Sequence, residues 1–388
     1  MATIDPVALA QALIQCPSVT PEDAGAIGVV ASAAERLGFT CHRLRFETPG
    51  TAPIENLYAR IGTEGLNFCF AGHTDVVPVG DAKAWRCDPF AAEIREGVLY
   101  GRGAVDMKSG IAAFLAAAER VLAKGTPRGS ISLLITGDEE GPNINGTRRV
   151  LEWLRERGER LDHCLVGEPT STARAGDTIK IGRRGSMRVE ITVRGVQGHT
   201  AYPQRAMNPI PILASLVQRL AQEPLDSGTP HFEPSTLVFT TFDVGNPAGN
   251  VSPAQAFAAC NIRFNDCHTP ESLMGRIETM ANELAAQTGT EIVVRSTVGA
   301  ALFVPAPGPF NDFLARAIHT VTASAPKFST SGGTSDARFI KDYCPVAEVG
   351  LPGATMHKVD ESVPVAEILK LTDIYAAILE QYFRQSPA

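Results

Sequence analysis

The chain has no CxxC pair, although it contains eight cysteines, and no apolar run that approaches the roughly 20 residues a membrane-spanning helix needs. The first absence argues against a cysteine zinc site. A length of 388 residues argues against a small disulfide-stapled secreted domain. Cys16, Cys41, Cys69, Cys87, Cys164, Cys260, Cys267 and Cys344 therefore read as small thiols, several within apolar runs, in a reducing compartment. Basic residues are not in excess, with 35 Lys plus Arg against 42 Asp plus Glu and a formal net charge of -7. That sign disfavours nonspecific binding to nucleic acid or to an anionic membrane and leaves small molecules and proteins as partners. Met1 to Pro6 has no basic segment followed by an apolar core, so the expected location is the cytoplasm. Internal repeats and low-complexity stretches are also missing.

What is present is an ordinary globular composition, 44% hydrophobic and 20% charged, in a chain longer than one core usually supports. Two domains are expected. Asp5-Pro6 is an N-cap followed by proline at the first helical position, with an apolar face through Leu9, Leu13 and Ile14. A second helix is expected from Pro21 to Leu37. Strands are expected over 41–46, 56–61, 66–71, 131–135 and 163–166, with helices over 107–124 and 146–157 between them. That alternation is the α/β pattern of a sheet covered by helices on both faces. From about Thr178 the order becomes βαββαβ, with strands at 187–193, 237–244, 256–264 and 291–297 and helices at 208–222 and 270–287. This is the split βαβ arrangement of ferredoxin-like domains, a unit that can be inserted into another fold. Its hinges would be Arg183-Arg184-Gly185-Ser186 and Thr297-Val298-Gly299. The expected segments are thus 1–182, 183–297 and 298–388, the last resuming the platform with a helix at 309–322, a strand at 346–349 and a helix at 365–382.

Short apolar runs are followed by acidic residues and histidines: His73 and Asp75 after 66–71, Glu139 and Glu140 after 131–135, Glu168 after 164–166. Asp106 and His357 complete the series. Loops of this kind converge beyond the carboxyl ends of strands in an open α/β sheet. Carboxylates and imidazoles gathered there need a compensating cation. In a two-zinc site His73 and Glu168 would serve one ion and Glu140 and His357 the other, with Asp106 bridging. Asp75 would hold the His73 imidazole in its metal-binding tautomer. Of the adjacent pair Glu139 and Glu140, one would ligate and one would move protons. Asp106 ends Gly101-Arg102-Gly103-Ala104-Val105-Asp106, which is a poor dinucleotide fingerprint because Asp replaces the third glycine where a pyrophosphate would sit. A nucleotide-binding oxidoreductase is therefore disfavoured.

Gly72-His73-Thr74-Asp75-Val76-Val77-Pro78, Leu99-Tyr100-Gly101-Arg102-Gly103, Asp106-Met107-Lys108, Gly137-Asp138-Glu139-Glu140-Gly141 and Gly167-Glu168-Pro169-Thr170 resemble the motifs of the acetylornithine deacetylase and succinyl-diaminopimelate desuccinylase family. Gly182 to Ser186, Gly195 to Pro203, Ser331 to Asp336 and Met356 to Val359 are similar to its desuccinylase branch, so the resemblance spans almost the whole chain. It implies a zinc-exopeptidase-like platform with a central mixed sheet, two zinc ions per subunit with cobalt or manganese as substitutes, and Glu139 as the general acid/base. It implies a homodimer formed through the inserted lid domain, and a His199 that reaches the partner's site to stabilise an oxyanion. The implied reaction is cleavage of N-succinyl-LL-2,6-diaminopimelate to succinate and LL-2,6-diaminopimelate, a step toward lysine and the bacterial cell wall. A substrate with several carboxylates would be gripped by Arg183 and Arg263, with Ser186, Tyr202, Asn250 and Thr334 as neutral donors. Gly353 and Asp360 depart from the branch, which usually carries Asn at both positions. A sister deacylase acting on acetylornithine or a dipeptide, and a noncatalytic metal-binding protein of the same fold, are the rival readings.

Overall fold

The computed structural model describes residues 3–125, 127–303 and 308–385; the remainder of the first and third expected segments lies outside the described residues. In chain order the first elements are α1 (Pro6–Ile14), α2 (Ala26–Arg36), β1 (Thr40–Phe46), β2 (Ile54–Ile61), β3 (Asn67–His73), β4 (Ile94–Arg95) and β5 (Val98–Tyr100). Then come α3 (Lys108–Leu122), β6 (Ser130–Thr136), α4 (Thr147–Glu156), β7 (His163–Val166) and β8 (Thr178–Lys180). The middle of the chain forms β9 (Gly185–Arg194), β10 (Gly198–His199), α5 (Pro209–Gln222), β11 (Thr236–Asp243), β12 (Val251–Ser252), β13 (Gln255–Phe264), α6 (Pro270–Thr288) and β14 (Glu291–Ala300). The last are α7 (Pro309–Thr322), β15 (Lys327–Ser329), α8 (Ala337–Ile340), β16 (Val346–Glu348), β17 (Ser362–Pro364) and α9 (Val365–Gln385).

Two compact units result. The first comprises Met1–Ile181, Ala306–Ser329 and Ser335–Ala388. Its main sheet has eight strands in the order β1-β2-β6-β3-β7-β16-β8-β15. It is mixed: β3 runs parallel to β6 and β7, whereas β2 is antiparallel to β1 and β6. Every residue of β3 and β6 is buried, as expected of near-continuous apolar strands covered on both faces. Phe70 of β3 stacks on Phe114 of α3 at 4.2 Å between ring centroids and meets Tyr375 of α9 edge-on at 5.6 Å, so both helices seat on the strand that ends at His73. The Asp5 side chain caps α1 by accepting from Val7 N at 2.9 Å, with Pro6 opening the helix as expected. The second helix starts at Ala26 rather than Pro21. Gly25 holds a left-handed φ of 89° and Asp23 accepts from the Gly25 and Ile27 amides, a turn that delays helical geometry.

The second unit comprises Gly182–Pro305 and Thr330–Thr334. Its antiparallel sheet has the order β11-β13-β9-β14, the ferredoxin-like order for a βαββαβ chain. Strict alternation on β9 buries Met187, Val189, Ile191 and Val193 against Leu213, Leu216 and Leu220 of α5 and Leu273, Ile277 and Ala281 of α6. β10 and β12 form a separate two-stranded ribbon that pairs His199 with Val251. The stretch Thr297–Gly299, expected as a hinge, lies inside β14, which stays paired with β9 as far as Ala300.

Candidate metal centre

Buried parallel strands deliver their loops to one end of the sheet, and the first unit uses this to gather charge. His73 is the last residue of β3 and is buried. Its Nε2 lies 3.2 Å from Asp106 Oδ1 and 3.5 Å from Glu168 Oε1. The other oxygen of Asp106, Oδ2, lies 3.2 Å from His357 Nε2, which is also 2.7 Å from Glu140 Oε1. Asp106 therefore faces one imidazole with each carboxylate oxygen. His73, Asp106 and Glu140 offer ligand atoms within 4.8 Å of one another, and so do His73, Glu139 and Glu168. All seven residues of the acidic and histidine series meet in this unit.

Asp75 does more than orient an imidazole. His73 Nδ1 bonds to the Asp75 backbone carbonyl at 2.9 Å, while the Asp75 carboxylate is 3.6 Å away. That carboxylate instead accepts from the amides of Glu139 at 3.2 Å and Glu140 at 2.9 Å, fixing the loop that carries both glutamates. Asp138 anchors the far side of the same loop by accepting from the Ile144 and Asn145 amides. Asp106 sits on a loop in which Gly103 adopts a φ of 85° and where a Cβ would fall 2.8 Å from the Val76 side chain, so a bare backbone is required there. His357 itself holds a left-handed φ of 61°.

The electrostatics follow from this crowding. Burial, with Glu168 alongside, pushes the Glu139 carboxyl well above its ordinary range. Burial raises Asp75 to about 7, and burial with neighbouring Asp106 raises Glu168 to about 7. Burial would raise Asp106 too, but hydrogen bonds to His357 and His73 hold it well below the usual carboxylate value. Bonds to Asp106 and Glu140 lift His357 to about 10. Glu168 Oε1 is buried without a hydrogen bond. Two imidazoles, a carboxylate shared between them and an unbonded buried carboxylate oxygen are donors suited to divalent zinc, cobalt or manganese.

The remaining expected contacts lie in the second unit. His199 and Tyr202 approach edge-on at 5.9 Å, and the Asn250 carbonyl accepts from Thr200 N at 3.0 Å, so the ribbon groups these three residues. Ser186 and Arg263 are register partners on β9 and β13. Arg183 Nη1 donates to the Gly333 carbonyl at 2.8 Å, beside Thr334. Of the two departures from the family pattern, Asp360 accepts from the Arg86 amide at 2.8 Å and pairs with its Nε at 3.0 Å, an engagement internal to the chain. Two residues at the centre were not singled out as site residues from the sequence: Glu361, which accepts from the Asp106 amide, and Arg102, its partner. No local spacing signals them, because they lie far apart in the chain.

Residues 69–381 match the model of peptidase family M20/M25/M40. The chain is 60% identical over 380 residues to succinyl-diaminopimelate desuccinylase of Rhodospirillum centenum, covering 98% of this chain and 97% of that one. It is 54% identical to the enzyme of the same name from Parvibaculum lavamentivorans, covering 98% and 96%. In fold it is similar to a tripeptidase from Staphylococcus aureus, with a TM-score of 0.80 at 20% identity over 99% of this chain and 100% of that one.

Proposed function

The chain belongs to peptidase family M20/M25/M40, and on that premise we propose that it is a two-metal amidohydrolase that cleaves N-succinyl-LL-2,6-diaminopimelate to succinate and LL-2,6-diaminopimelate. The observation that carries the metal chemistry is Asp106, with one oxygen 3.2 Å from His73 and the other 3.2 Å from His357. The substrate assignment is supported by relatives of that name at 54% to 60% identity over nearly the whole chain.

In this reading His73 and Glu168 would hold one ion and Glu140 and His357 the other, with Asp106 shared between them. Such ions, zinc or the similar cobalt and manganese, would supply Lewis-acid polarisation of the acyl carbonyl and a lowered pKa for bound water. Glu139, whose ligand atom clusters with those of His73 and Glu168, takes the proton from the attacking water and returns it to the departing amine. Asp75 keeps Glu139 in reach by holding its backbone amide. His199 donates to the oxyanion, and Arg183 and Arg263 grip substrate carboxylates, with Ser186, Tyr202, Asn250 and Thr334 adding neutral donors.

The second unit serves as an inserted lid and as the contact of a homodimer. Support comes from its edge strand β11, where Val238 is 56% exposed and Phe242 47% exposed, since such an edge invites pairing or cover. A cytoplasmic location agrees with eight free cysteines. Among the described residues no helix is long and apolar enough to cross a membrane. Metal content measured together with hydrolysis of succinyl-diaminopimelate, acetylornithine and a dipeptide panel tests the assignment. Preferred turnover of acetylornithine or a dipeptide would displace the substrate, and a metal-loaded protein that hydrolyses no amide would displace the enzyme.

A further inference from the structure

Arg102 and Glu361 form an ion pair at 2.8 Å that is almost wholly out of water, at 2% and 0% exposure. Taking two charges out of water costs several kcal/mol per ion, so such a pair is poor evidence for stability and calls for another explanation. The hydrogen bonds supply one. One oxygen of Glu361 accepts from the amides of Val105 at 2.9 Å and Asp106 at 3.1 Å; the other accepts from Arg102 Nη1 and from the Gly103 amide at 3.1 Å. The arginine fork also donates to the Lys358 carbonyl, one residue past His357, and to the Pro78 carbonyl, three past Asp75, each at 3.2 Å. Its guanidinium lies over the Trp85 ring at 5.2 Å, which fixes the plane of the fork.

We infer that the Arg102–Glu361 pair is a positioning device that ties the loops of His73, Asp106 and His357 into one frame and so sets the bridging geometry of Asp106. The inference rests on the two-metal reading above. Neither side chain touches an expected ligand atom; the pair acts through backbone, by fixing where the Asp106 carboxylate emerges. A bridge tolerates errors of only about 0.5 Å, and loops meet that tolerance only when their own hydrogen bonds are complete.

The test uses the full chain and two substitutions. Glu361→Gln keeps the shape but sets an amide donor against donors already in place. Arg102→Lys keeps the charge but loses the planar fork that reaches both carbonyls. Thermal unfolding gives fold integrity, calorimetry with Mn2+ or Zn2+ gives stoichiometry and dissociation constants, and electron paramagnetic resonance of the Mn2+ form gives spin coupling across the bridge. Glu361→Gln is expected to weaken metal binding about 10–100-fold and to reduce the coupling, and Arg102→Lys to do so more weakly. A role in stability alone would lower the melting temperature while leaving affinity and coupling of the folded protein unchanged. Wild-type affinity and coupling in folded Glu361→Gln, or in Arg102→Lys should the first variant not fold, overturn the inference. A wild-type protein that binds fewer than two ions overturns the two-metal reading itself, and the inference with it.

Discussion

Glu139 and Glu140 are neighbours with different surroundings, and that difference makes a test at the scale of one residue. Glu140 lies 2.7 Å from His357, whereas Glu139 clusters with His73 and Glu168. Glu139→Gln keeps the size of the side chain and an oxygen, and removes only the capacity to accept and return a proton. We expect kcat to fall about 10²–10⁴-fold, the usual worth of a positioned acid/base, with KM and metal content nearly unchanged. Steady-state kinetics paired with metal analysis reads this out, and near-normal turnover would remove Glu139 from the mechanism. At this scale the sequence was informative wherever an acid or histidine closed an apolar run, because a buried strand can only end in a loop at the sheet's edge. It gave no role to Arg102 or Glu361, whose meaning arises only when residues 259 positions apart are brought together. It also left open what Asp75 holds, since a two-residue spacing from His73 cannot reveal bonds to the amides of Glu139 and Glu140.

Among the elements, those with a periodic or apolar signature could be read and most of the two- and three-residue strands could not, for a physical reason. α7 and β7 begin and end as expected, since fourteen helical residues leave a periodic trace and the apolar Cys164-Leu165-Val166 run marks a buried strand. β4, β5, β8, β10, β12, β15 and β17 have two or three residues each, too few for any period, and owe their pairing to strands brought beside them by the fold. Loops have their own chemistry. After α5, Asp226 accepts from the Gly228 and Ser235 amides and from Asn265 Nδ2, tying that loop to the one before α6. Burial would raise this carboxyl, but the bonds from Ser235, Gly228 and Asn265 outweigh it and hold it at about 2, against an ordinary 3.8. The folded form therefore binds its proton less readily than the unfolded chain. The stabilisation is complete above about 3.8 and is lost as pH falls through about 2. Asp226→Asn should unfold more easily than wild type at neutral pH, and the gap should narrow as pH drops through that window. Denaturant titrations of both proteins at matched pH check it; a gap independent of pH would mean that the charge is not what the loop uses.

For the molecule as a whole, the division into a sheet platform and a ferredoxin-like unit has a thermodynamic consequence. All five expected ligands, His73, Asp106, Glu140, Glu168 and His357, come from the first unit, and none from the second. Ions that bind the folded platform and not the unfolded chain stabilise it by mass action, by about 2.7 kcal/mol at a free concentration of 100 times the dissociation constant. Removing them also leaves carboxylates facing one another, the partly buried Glu139 beside the buried Glu168 above all. Chelation should therefore lower the melting temperature and speed amide exchange first in the segments 72–78, 101–107, 137–145 and 355–361. Strands β9, β11, β13 and β14 have a hydrophobic core of their own and should keep their protection until the chain unfolds globally. Hydrogen exchange measured with and without chelator, followed by restoration with zinc, distinguishes the cases. Equal loss of protection in both units would show that the ions stabilise the chain as a single cooperative body, and equal protection with and without chelator would show that these loops hold no metal.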